Sequence, residues 1–117
     1  MIYLVTNNPP KTLENNIKII DVETSLKLLE PLNKVGLDTE TSGLNCHLDL
    51  LKSLQLGCFD FQIVIDCLSI DIALYKSYIE SERLFIGANL KFDLGFLYKN
   101  NIWPKNLFDV YLAEKLM

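Results

Sequence analysis

The sequence is poor in the residues that would commit it to several large classes of protein. Its three cysteines, Cys46, Cys58 and Cys67, show no C-x-x-C spacing, which argues for reduced thiols and against a disulfide framework or a thiolate zinc site. The single histidine, His47, follows Cys46 directly. Neighbours on an extended segment point to opposite faces, so the two do not read as ligands of one metal. Arginine occurs once, at Arg83, and the formal net charge is −4, so no global field draws in a polyanion and any nucleic-acid contact must be local. No apolar run approaches the length of a membrane span, and the opening MIYLV is too short, and lacks the basic flank, for a secretory leader. Low-complexity stretches, repeats and linkers are also missing. What remains is one globular domain, read as soluble and cytoplasmic, with 50% hydrophobic residues and enough length for a real core.

The apolar pattern divides the chain into elements. MIYLVT and IKIID read as short strands around a Pro-broken turn. A helix is predicted through VETSLKLLEPLN, with Asp21 or Thr24 as its cap and Val22, Leu26, Leu29 and Leu32 on one side. Alternation predicts a strand over residues 35–41. SLQLGCF and QIVIDCL then continue as an antiparallel meander, and SIDIALYKSYIES reads as a helix capped by Ser69 or Asp71. RLFIGAN is a short buried strand, NLKFDLGFLYKNN a helix capped by Asn89, and NLFDVYLAEKLM a last strand that turns into a helix at Asp109. Three strands followed by alternating helix and strand imply a mixed α/β sheet with parallel strands in its second half and flanking helices. The division expected is a lead-in strand and helix over residues 1–33 and a core over 34–117.

One strand carries the wrong residues for a structural role. In VGLDTETSGL, alternation sends Val35, Leu37 and Thr39 to one face and Gly36, Asp38 and Glu40 to the other. Two acids side by side repel unless a cation lies between them, and hard carboxylate oxygens suit Mg²⁺ or Mn²⁺. An acid pair on a solvent-facing strand is common by itself, so this pair alone decides little. A third acid sharpens it. In GANLKFDLGFL the apolar stripe Leu90, Leu94 and Leu97 encloses Asp93, and an inward acid needs a partner. A salt bridge to Lys or backbone hydrogen bonds would serve, but a metal shared with Asp38 and Glu40 accounts for all three.

LDTETSGL and GANLKFD resemble the first and second motifs of the DEDD-type 3′-5′ exonucleases, most closely the proofreading domain of family A (Pol I-like) DNA polymerases. The likeness covers about residues 17–117, including FDVYLAEKLM. It implies a ribonuclease H-like (DnaQ-like) fold and two-metal hydrolysis of the 3′-terminal phosphodiester of single-stranded DNA. By position, Asp38, Glu40 and Asp93 would be the catalytic metal ligands, Asp38 bridging two Mg²⁺ or Mn²⁺ ions. Thr41, Leu44 and Asn89 would contact substrate, Leu44 as a wedge beside the last base. The family's third motif, Tyr or His followed by x-x-x-Asp, does not occur; Tyr111 is followed four residues on by Lys115. The domain is therefore expected to lack its C-terminal part and to be inactive or incomplete as this chain alone. Val110, Ala113 and Leu116 would present an apolar face to a C-terminal segment, a polymerase domain or a second copy. A catalytically silent module that binds protein or nucleic acid is the alternative.

Overall fold

The computed structural model describes residues 1–116, with side chains described through Ala113. The chain opens with β1 (Ile2–Val5) and β2 (Ile17–Ile19), then α1 (Val22–Leu29). The antiparallel meander follows as β3 (Lys34–Thr41), β4 (Leu51–Gly57) and β5 (Gln62–Asp66). A 3₁₀ turn over Ile72–Tyr75 leads into the short α2 (Lys76–Ile79), after which come β6 (Leu84–Gly87), α3 (Leu90–Lys99), β7 (Asn106–Asp109) and α4 (Val110–Leu116). All seven strands join one sheet in the order β2-β1-β5-β4-β3-β6-β7. β6 and β7 add in parallel beside β3, while β1 and β2 extend the far edge in parallel beside β5.

Local chemistry sets the boundaries. Asp21, not Thr24, caps α1 by accepting from the Thr24 N–H at 2.7 Å, and Pro31 stops the helix because it has no N–H to continue the ladder after Glu30. Asp71, rather than Ser69, caps the next helical segment through the Ala73 N–H at 2.9 Å. That segment is shorter than its apolar spacing predicts, yet Ile72, Tyr75 and Ile79 are buried as the spacing requires. β5 ends at Asp66 because its carboxylate turns the chain, accepting from the Leu68 N–H and the Ser69 hydroxyl.

The core lies on one face of the sheet. Val35, Leu37, Leu54, Leu56, Ile63, Ile65 and Phe85 meet Leu29 of α1, Tyr75 and Ile79 of the 3₁₀–α2 segment, and Phe96 and Leu97 of α3. The lone arginine belongs to this scaffold. Arg83 donates to the Leu32 and Glu30 carbonyls and lies 4.3 Å over the Tyr78 ring, clasping the end of α1.

Candidate active site

Alternation along β3 holds as the sequence predicts. Val35, Leu37 and Thr39 are buried, whereas Gly36, Asp38 and Glu40 are exposed. Asp38 and Glu40 therefore project from the face opposite the core, beside Gln55 and Ser53 of β4. The register shifts between Glu40 and Thr41, where Thr41 pairs with Leu51 and Lys52 bulges out of the ladder. Such a bulge bends β4, the strand that carries the extra residue. Asp38 opens onto a cleft of about 380 Å³ lined also by Gly36, Gln55, Ile86 and Gly87.

Asp93 comes to β3 from the other side. It is 4% exposed, and its carboxylate accepts a hydrogen bond from the hydroxyl of Thr39, the residue between the two strand acids. Burial pushes its pKa up to about 6; the Thr39 bond opposes that rise, while the charges of Asp38 and Asp109 add to it. The three acids thus flank one strand, and Asp93 feels Asp38 electrostatically. Among the described residues, no three acid, histidine or cysteine side chains come close enough together to share an ion.

The expected substrate residues lie around this point. Leu44 is 87% exposed in the loop after β3. Thr41 spends its hydroxyl on the Gly43 carbonyl at 2.7 Å, which starts that loop. The loop is closed by Asp49, whose carboxylate accepts from the Asn45 N–H at 2.9 Å. A Cβ at Gly43 would fall within 2.7 Å of that carboxylate, so a larger residue there would displace the Asp49 side chain.

Asn89 does not cap α3 as its position suggests. It sits in the left-handed region, φ 56° and ψ 48°, and its side chain makes no capping bond. Asp109, at the end of β7, reaches back and accepts from the Asn89 and Leu90 N–H groups at 3.0 and 2.9 Å. The same carboxylate accepts from Tyr111 and Leu112 at the start of α4. One side chain caps two helices. Burial works against its charge, yet the four backbone N–H groups outweigh it and hold the Asp109 carboxyl below its ordinary value. Local spacing reveals only the α4 half of this role, because α3 begins about twenty residues earlier.

A family model, DNA_pol_A_exo1, described as 3′-5′ exonuclease, matches residues 16–117. The chain belongs to that exonuclease family. A member of similar sequence is DNA polymerase I of Aquifex aeolicus (strain VF5), 37% identical over 97 residues, which is 82% of this chain but 16% of the polymerase. Among solved structures, Brucella melitensis NrnC superposes with a TM-score of 0.74 at 24% identity, covering 98% of this chain and 52% of NrnC. The catalytic core of RRP6 from Trypanosoma brucei gives 0.74 at 15% identity, covering 97% of this chain and 30% of that one. Escherichia coli RNase D gives 0.65 at 20% identity over 75% of this chain and 24% of RNase D. The exonuclease fold here is ribonuclease H-like. The chain spans about half of the NrnC chain and a sixth of the polymerase.

Outside the acids, Val110 and Leu112 of α4 are exposed beside the half-buried Ala113. The side chain of Leu116 lies outside the described residues. Cys46, Cys58 and Cys67 are all free thiols. Among the described residues no helix is long and apolar enough to cross a membrane.

Proposed function

We propose that this chain is the part of a proofreading 3′-5′ exonuclease that supplies the first three acids, Asp38, Glu40 and Asp93. Their hard oxygen donors suit divalent Mg²⁺ or Mn²⁺. Such ions, when bound, supply an activated water and neutralise charge on the leaving oxygen. The rest is the protein's own work. Alternation along β3 sets the direction of the strand acids, and α3 holds Asp93 against the middle of β3. Leu44 offers an apolar edge to the terminal base of a single strand, and Thr41 and Asn89 flank its path. The observation that carries this reading is Asp93: a carboxylate buried within the electrostatic reach of Asp38 is a costly arrangement that a cation relieves.

The fourth acid and the tyrosine of the family's third motif would come from outside these 117 residues, from a stretch that would also cover Val110 and Leu112. Working partners would be a single-stranded DNA 3′ end and a polymerase domain, in the cytoplasm during DNA replication. The silent-module reading keeps one observation in its favour, the lack of three gathered ligands among the described residues.

Digestion of a 5′-labelled single-stranded oligonucleotide at fixed Mg²⁺ separates the two. The 117 residues alone should release almost no nucleotides. Adding a segment bearing Tyr-x-x-x-Asp should restore release, and Asp38→Ala should abolish the restored activity. No release with the added segment would favour the silent module instead.

A further inference from the structure

Along α3, loop and helix build a surface from residues that the exonuclease reading does not use. The loop of residues 42–50 leaves β3 directly after Glu40 and Thr41 and lies along α3. Gly95 allows this contact, since a Cβ there would meet the Cys46 Sγ at 3.1 Å. Lys99 fastens the far end of the loop by donating to the Asp49 carbonyl at 3.0 Å. Between loop and helix runs a cleft of about 380 Å³ lined by Cys46, His47, Gly95, Tyr98 and Lys99.

Tyr98, in the wall of that cleft, is half of a flat aromatic platform. Its ring stacks on Trp103 at 4.2 Å between centroids and 17° between planes. The chain reverses after α3 through Asn101, at φ 61°, and this brings Trp103 back over the helix. The indole is fixed in place: its N–H donates to the Asn101 side chain at 3.2 Å and its backbone N–H to Glu80 at 2.9 Å. Yet Tyr98 remains 38% and Trp103 53% exposed. Two held aromatic rings with open surface, next to an ammonium whose bond is to a neutral carbonyl, match the parts that bind single strands: a stacking face for a base and a cation for its phosphate.

We propose that the Tyr98–Trp103 platform, with Lys99 and His47, is a subsite for a base and phosphate of a single-stranded nucleic acid, upstream of the terminal nucleotide. It rests on the exonuclease reading for the strand's presence. Helix geometry places Tyr98 about 7.5 Å along and about 140° around α3 from Asp93, so a strand that reaches both has to pass around the helix.

Trp103 is the only tryptophan, so its emission reports on this surface without ambiguity. The 117-residue chain is titrated into 5′-labelled hexathymidylate at low salt in EDTA, with label anisotropy and Trp103 emission followed together. Binding should raise anisotropy and quench Trp103 with the same midpoint. Tyr98→Ala and Lys99→Glu should each weaken binding about tenfold, with far-ultraviolet circular dichroism unchanged. Anisotropy that rises with no change in Trp103 emission, and with Tyr98→Ala binding as tightly as wild type, overturns the subsite and leaves the exonuclease reading standing. No rise in anisotropy at all overturns the subsite together with single-strand binding by this chain.

Discussion

Along β3, Val35, Leu37 and Thr39 lie buried beneath the helices, while Gly36, Asp38 and Glu40 alternate with them and stay exposed. Neighbours in sequence thus answer to different demands. On the inner face the apolar side chains fill space at core density, and removing one leaves a cavity. On the outer face two exposed acids do nothing for packing. Asp93 is the exception that joins the two faces, because it is an acid on the inner side. Its cost to the fold is therefore measurable.

Substitutions on the two faces should part company. The largest effect expected is on chemistry: in the complemented exonuclease, Asp38→Ala should lower digestion by more than about a thousandfold, equivalent to roughly 4 kcal/mol, while the melting temperature of the chain barely moves. A drop in stability of the same size would erase the contrast between the faces. Leu37→Ala should instead cost about 3 kcal/mol of stability in a denaturant titration. A loss below about 1 kcal/mol would mean the inner face is looser than its burial indicates.

Asp93→Asn sharpens the comparison through pH. The Asp93 pKa rises from 3.8 in the unfolded chain to about 6 in the folded one, so between these values the folded state binds the extra proton. Stability contributed by Asp93 is then greatest below pH 4, falls as pH rises toward 6, and stays low above it. The amide keeps the oxygen that accepts from Thr39 but has no charge to bury. In EDTA it should stabilise the chain at pH 7.5 by up to about 3 kcal/mol and by almost nothing at pH 3.5. Melting curves across that range test both the size and the sign; equal effects at both ends would remove burial as the cause. The smallest effect belongs to Glu40→Gln, whose exposed side chain should change stability by less than about 0.5 kcal/mol.

Residue type and period were enough to read some of this arrangement. The outward pair on β3, the inward Asp93 on α3 and the mixed sheet all follow from periods of 2 and 3.6. Sequence spacing does not disclose that Asp93 meets Thr39, because that depends on how α3 is set against β3. The bulge at Lys52, the left-handed turns at Asn89 and Asn101, and the Tyr98–Trp103 stack have the same origin. Each depends on what the chain meets after it has folded back, and no local pattern encodes that. Arg83 is instructive too. As the sole arginine it invites a phosphate-binding role, yet it holds the carbonyls at the end of α1.

The shared carboxylate of Asp109 also imposes an order in time. α1 carries its own cap at Asp21 and can close its first turn as soon as that stretch of chain exists. α3 cannot. Its first amides find their acceptor 19 and 20 residues later, and that acceptor is placed only when β7 has paired with β6. Closing so long a loop is slower than forming a local cap and carries a greater entropic cost. The helix that bears Asp93 is thus finished late, and the first turns of α3 and α4 become fixed in the same step. During synthesis, α3 gains this cap only after β7 has left the ribosome.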